Sequence, residues 1–145
     1  MWYASNDAGM TTYIVATDSE ATSETILWYL TDRLSDGDSV HAINSLEGGE
    51  GTSQVDTNEG DAALTAIERE LSDWPGDVTV QQFVRGNRVS TDVLSYADEC
   101  DADEIVVVVR ERSPTGKAVF GSETQAIILN ADRPVVCVPD TPTLY

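Results

Sequence analysis

Residues 105–122 read IVVVVRERSPTGKAVFGS, and this stretch decides the fold. Five consecutive β-branched residues, Ile105 to Val109, make a strand that is stable only when both faces are buried. That is the mark of a central strand in a parallel sheet. The strand runs into a charged loop containing Pro114 and Gly116, and Gly121-Ser122 then opens an apolar helix. Open α/β sheets hold ligands at such loops and helix N-termini, beyond the carboxyl ends of their strands. Arg110, Arg112 and Lys117 lie in this stretch, three of the eight basic residues in a chain with 26 acids.

Outward from this strand, the hydrophobic pattern predicts further strands at 13–16, 39–45, 78–84 and 134–138. Helices are predicted at about 21–34, 61–72, 90–100 and 122–129, with stripes such as Leu64, Ile67 and Leu71 facing inward. Residues 46–61, which include Gly48-Gly49-Glu50-Gly51, read as a flexible loop. Strands alternating with helices imply right-handed crossovers. The expected fold is therefore α/β, a single doubly wound domain with a five-stranded parallel sheet and four helices. It spans residues 12–140, after a flexible N-terminal extension (1–11) and before a short tail (141–145).

The formal net charge is −18, with acids in nearly every segment and Lys117 as the single lysine. An even spread of acids is a solvated surface, and it repels nucleic acid and anionic membranes. Near-absence of lysine points to adaptation to a salt-rich cytoplasm, where the Debye length shrinks to roughly 3 Å at 1 M. No apolar run reaches ten residues, so neither a signal peptide nor a membrane span is expected, and the protein is placed in the cytoplasm.

Few residues invite catalysis. His41 lies within a strand with no evident partner, and Cys100 and Cys137 read as buried free thiols without zinc or disulfide spacing. No G-x-S-x-G elbow or H-E-x-x-H pair occurs, and no metal site is expected. Gly116-Lys117 lacks the rest of a P-loop. Gly121-Ser122 has two readings: an anion site built from backbone amides, a hydroxyl and Thr124, or a helix simply capped by Ser122.

Several features taken together resemble the universal stress protein family over about residues 12–139. They are the first strand running into Asp18, the Asp101-to-Val107 entry to the fourth strand, the Gly121-Ser122 helix and the ending Ala131 to Val138. The resemblance implies an adenine-nucleotide alpha-hydrolase-like sheet of order 3-2-1-4-5 and a homodimer formed through the last strand, Pro134 to Val138. It also implies a stress-response regulatory module rather than an enzyme, with ATP or a related adenine nucleotide, and Mg if bound, between the first and fourth strands. Adenine would lie towards Asp18, with residues 42–44 along the base. Phosphates would meet Gly121, Ser122, Glu123 and Thr124, with Arg110 or Lys117 nearby. The family's ATP-binding branch carries G-x2-G-x9-G-[ST]; laid back from Gly121-Ser122, its first two glycines fall at Val108 and Glu111. A scaffold binding no nucleotide and a slow ATP hydrolase using Glu123 or Thr124 to position water are the alternatives.

Overall fold

The computed structural model describes residues 10–112 and 118–140. Elements follow in the order β1 (Thr12–Ala16), α1 (Glu20–Thr31), β2 (Ser39–Leu46), a 3-10 turn (Gly49–Gly51), α2 (Gln54–Glu70), β3 (Asp77–Val84) and α3 (Val89–Cys100). Then come β4 (Glu104–Val109), β5 (Glu111–Arg112), β6 (Ala118–Val119), α4 (Ser122–Asn130) and β7 (Val135–Pro139). Five strands form one parallel sheet in the order β3-β2-β1-β4-β7. This is the expected 3-2-1-4-5 arrangement, with β7 as its fifth strand.

Strand β4 behaves as its composition requires. Val106 and Val108 pack with Val15, Ile26, Leu30 and Leu64 on the α1/α2 side. Ile105 and Val107 pack with Ile14, Val93, Ala97 and Ile127 on the α3/α4 side. Each such side chain contributes roughly 1.5–3 kcal/mol through burial.

Three expectations about the elements change. The stretch 46–61 is largely helical: α2 begins at Gln54, seven residues before the expected start. Its signal is a capping box, in which Ser53 accepts from the Asp56 backbone amide and Asp56 accepts from that of Ser53. The polar first two turns of α2 carry no apolar stripe, so periodicity alone passes over them. Helix α1 stops at Thr31 rather than at 34, although Leu34 still packs on the core from the turn beyond. The charged loop after β4 contains an antiparallel pair, β5 with β6, with Glu111 opposite Val119. Lys117, residues 1–9 and the tail at 141–145 lie outside the described residues.

Gly60 sits inside α2, where glycine normally costs about 1 kcal/mol against alanine. Here it is required by packing, since a Cβ would lie 1.9 Å from Asn44 Oδ1. Asn44 cannot yield easily: it donates to the Thr17 carbonyl and accepts from Gln82 Nε2, both at 3.0 Å. Gly60→Ala is therefore expected to destabilise by about 1–3 kcal/mol. Urea unfolding checks this, and a gain in stability would contradict it.

Candidate functional site

Strand β1 leads to β2 on one side of the sheet centre, and β4 leads to β7 on the other, so their carboxyl ends flank a crevice. A cleft of about 240 Å³ lies there, bordered by Ala16, Ile43, Asn44, Val107, Val93 and Ile127, among others. An adjoining lobe of about 290 Å³ lies between Asp18, Val108, Arg110 and the first turn of α4, Gly121 to Thr124. Asp18, Val108, Arg110, Glu123 and Thr124 border both lobes. Six of the seven residues singled out from the sequence thus meet at one crevice. The seventh is Lys117, which is not described.

The helix ends explain the character of the outer lobe. Ser19 caps α1 by accepting from the Thr22 amide, and Ser53 caps α2. Helix α3 is capped from outside its own sequence: Glu123 Oε1 accepts from the Ser90 backbone amide at 2.8 Å. Helix α4 has Gly121 at its N-cap position and no side-chain cap among the described residues. Ser122 is its first residue and does not cap it, which corrects that reading. The first-turn amides have no partner within the helix and face the outer lobe.

Glu123 departs from expectation in a second way. Its carboxylate turns away from the α4 axis and takes two hydrogen bonds from Arg88, at 2.8 and 3.0 Å. Partial burial pushes this carboxyl up, but the Ser90 amide and the Arg88 guanidinium hold it below the usual range. Arg110 is also engaged. Its guanidinium donates to Thr22 Oγ1 at 2.7 Å and Ser19 Oγ at 3.2 Å, and lies 3.4 Å from Asp18 and 3.9 Å from Asp140. Asp18 in turn accepts from Thr22 Oγ1 at 2.8 Å.

Sequence reasoning overlooked Thr22, Ser45, Arg88 and Asp92. Asp92 is fully buried at the start of α3 and accepts from Ser45 Oγ at 2.7 Å, Arg85 Nε at 2.9 Å and Asn87 Nδ2 at 3.0 Å. This network ties the β3–α3 turn to β2 beneath the cleft. One acid among 26 cannot stand out, and its only signal was Arg85 and Asn87 just ahead of a helix start. His41, read as unpartnered, has Tyr96 Oη 3.0 Å from Nδ1 and Cys100 Sγ at 3.9 Å. Burial lowers its pKa, while Asp77 acts in the opposite sense. Cys100 and Cys137 are free and half-buried rather than fully buried. Among the described residues no cluster of three or more metal-ligating side chains occurs, and no helix is long and apolar enough to cross a membrane.

A sequence profile described as the universal stress protein family matches residues 10–139. The chain belongs to the universal stress protein family. A universal stress protein of Mycolicibacterium smegmatis is 32% identical over 72 residues, which is 50% of this chain and 55% of the length of that relative. A universal stress protein structure from Archaeoglobus fulgidus superimposes with a TM-score of 0.71 at 31% identity, covering 88% of this chain and 98% of the other. A second structure from A. fulgidus, in complex with dAMP, gives 0.65 at 25% identity, covering 90% and 98%.

The Asp92 network carries a pH dependence. Burial alone would raise its carboxyl pKa, but bonds from Ser45, Asn87 and Arg85 hold it below the ordinary range. A depressed folded pKa gives stabilisation that is complete above the ordinary value of about 3.9 and is lost as pH falls through the folded one. Asp92→Asn should cost about 1.5–3 kcal/mol at pH 7. Urea titrations from pH 7 to pH 3 should show the gap to wild type closing in acid; a constant gap would contradict this assignment.

Proposed function

We propose that this universal stress protein is a dimeric regulatory module of the cytoplasm that binds an adenine nucleotide in the crevice between β1 and β4. The observation that carries the reading is the α4 N-terminus without a side-chain cap, facing a lobe that also holds Arg110. Such an end favours an anion through both its amides and its dipole. The base lies in the inner lobe against Ile43, Val93 and Ile127, with Asn44 and Asp18 offering hydrogen-bond groups. Phosphate meets the backbone of Ser122, Glu123 and Thr124, with Arg110 beside it; Lys117, outside the described residues, is the second basic residue assigned to it. Mg accompanies the nucleotide as its counter-ion. The dAMP complex of the A. fulgidus structure supports the choice of ligand.

Binding is favoured over hydrolysis by the state of Glu123. Its carboxylate is fixed on Arg88 and the Ser90 amide, so orienting an attacking water would first require uncapping α3. The dimer forms through β7, which pairs with β4 along one edge and has no pairing on the other among the described residues. An unpaired parallel edge is a template for a second chain.

Gly121→Asp separates ligand binding from folding. Gly121 already has extended N-cap geometry, φ −70° and ψ 169°. Aspartate there would cap α4 and raise stability by roughly a few tenths of a kcal/mol, while its charge fills the anion position. Calorimetry with adenine nucleotides in molar salt should show binding to wild type and none to the variant. Equal affinity in both would place the pocket elsewhere. Sedimentation should give a dimer mass, and a monomer at high concentration would remove the β7 interface.

A further inference from the structure

We propose that Arg88 is a positioning residue for the anion end of the crevice: it neutralises the Glu123 carboxylate and holds it off the first turn of α4, leaving that turn to a phosphate. The inference rests on the nucleotide-site reading above and deepens it.

Glu123 is an obstacle to such a site. It is the second residue of α4, an acid in the first turn of a helix whose N-cap is Gly121. A carboxylate there is drawn to its own helix end for the same reason that an external anion is, namely the first-turn amides and the dipole. Glu123 also borders both lobes of the crevice. Left to local forces, its side chain competes with a phosphate for the amides and repels it by charge.

The neighbouring helix removes the obstacle. Helix α3 begins at Val89, so Arg88 stands at its N-cap position, in extended geometry and without a side-chain cap bond of its own. A guanidinium has no acceptor atom, so it cannot do for α3 what Ser19 and Ser53 do for α1 and α2. Glu123 supplies the missing acceptor. Its Oε1 accepts from the Ser90 amide at 2.8 Å, while Oε2 accepts from Arg88 Nε at 3.0 Å and Nη2 at 2.8 Å. Both carboxylate oxygens are thereby engaged on α3, and one guanidinium matches the charge. Serine or aspartate at position 88 would cap α3 by itself, with no positive charge left for Glu123.

Arg88 acts at a remove. It is not among the described residues bordering either lobe, whereas Arg110 borders both. The effect of Arg88 on a ligand therefore passes through Glu123, and this makes it separable from direct phosphate contact. Without the guanidinium, Glu123 keeps its charge beside the anion position and only the Ser90 amide restrains it.

Calorimetric titration of the full-length chain with AMP at one salt concentration tests this as a double-mutant cycle. Arg88→Gln should weaken AMP about fivefold or more, because a like charge is uncovered at the helix end. Glu123→Gln should bind AMP no more than about twofold weaker than wild type, since its amide oxygen can still accept from Ser90 without a charge. The double variant should return to within about twofold of wild type. Arg88→Lys, which keeps the charge, should bind more tightly than Arg88→Gln. Adenosine, which has no phosphate, should bind wild type and Arg88→Gln alike, with circular dichroism confirming the fold. If Arg88→Gln fails to fold, Glu123→Gln against wild type still decides. Wild-type affinity in Arg88→Gln, a double variant as weak as Arg88→Gln, or a marked loss in Glu123→Gln each overturns the positioning role and leaves the nucleotide site standing. No AMP binding by wild type overturns both together.

Discussion

Everything at the functional end of this molecule follows from the need to cover β4 on both faces. Ile105, Val106, Val107 and Val109 are buried, and no single layer of helices can bury side chains that alternate across a sheet. The chain therefore places α1 and α2 on one face and α3 and α4 on the other. To do so it must change direction between β1 and β4, and the connections diverge at that point. The crevice is the space left by this divergence. Strand β4 delivers Arg110 to its rim, and the return connection delivers the N-terminus of α4.

Charge organises the rim. In a chain of 26 acids and eight bases, four of the seven arginines form ion pairs among the described residues. Arg85 goes to buried Asp92, Arg88 to Glu123, Arg110 to Asp18 and Asp140, and Arg133 to Asp98 and Asp132. Most of these pairs are exposed and contribute about 0–1 kcal/mol each. Asp92 differs, because three hydrogen bonds hold its buried carboxylate and lock the turn between β3 and α3. The cap that Glu123 supplies to α3 has a similar positional effect, since it ties the first turns of α3 and α4 together across the cleft. The residue next to the proposed phosphate site thus serves as a strut, and its backbone amide is what remains for a ligand.

The sheet was legible in the sequence because its signals are strong: five β-branched residues in a row at β4, and alternation of strands with apolar helical stripes elsewhere. The early start of α2 was not, because its first turns are polar and only Ser53 and Asp56 announce it. Asp18, Arg110 and the Gly121-to-Thr124 turn were legible because topology puts strand ends and one helix end together. The direction of a side chain is a tertiary property, however. Nothing local shows that Glu123 reaches Ser90, 33 residues away, or that Ser45 reaches Asp92, 47 residues away. The same holds for His41, whose partners Tyr96 and Cys100 lie on α3 more than 50 residues further along the chain.

The central claim is that the first turn of α4 holds the phosphate of an adenine nucleotide. Backbone amide shifts of ¹⁵N-labelled protein during titration with AMP test it most directly. The account predicts the largest changes at Ser122, Glu123 and Thr124, with smaller ones at Arg110 and at Ile43 to Ser45. Saturating shifts confined to another surface, such as the groove between α1 and α2 beside Trp28, would contradict it, as would no shifts at all.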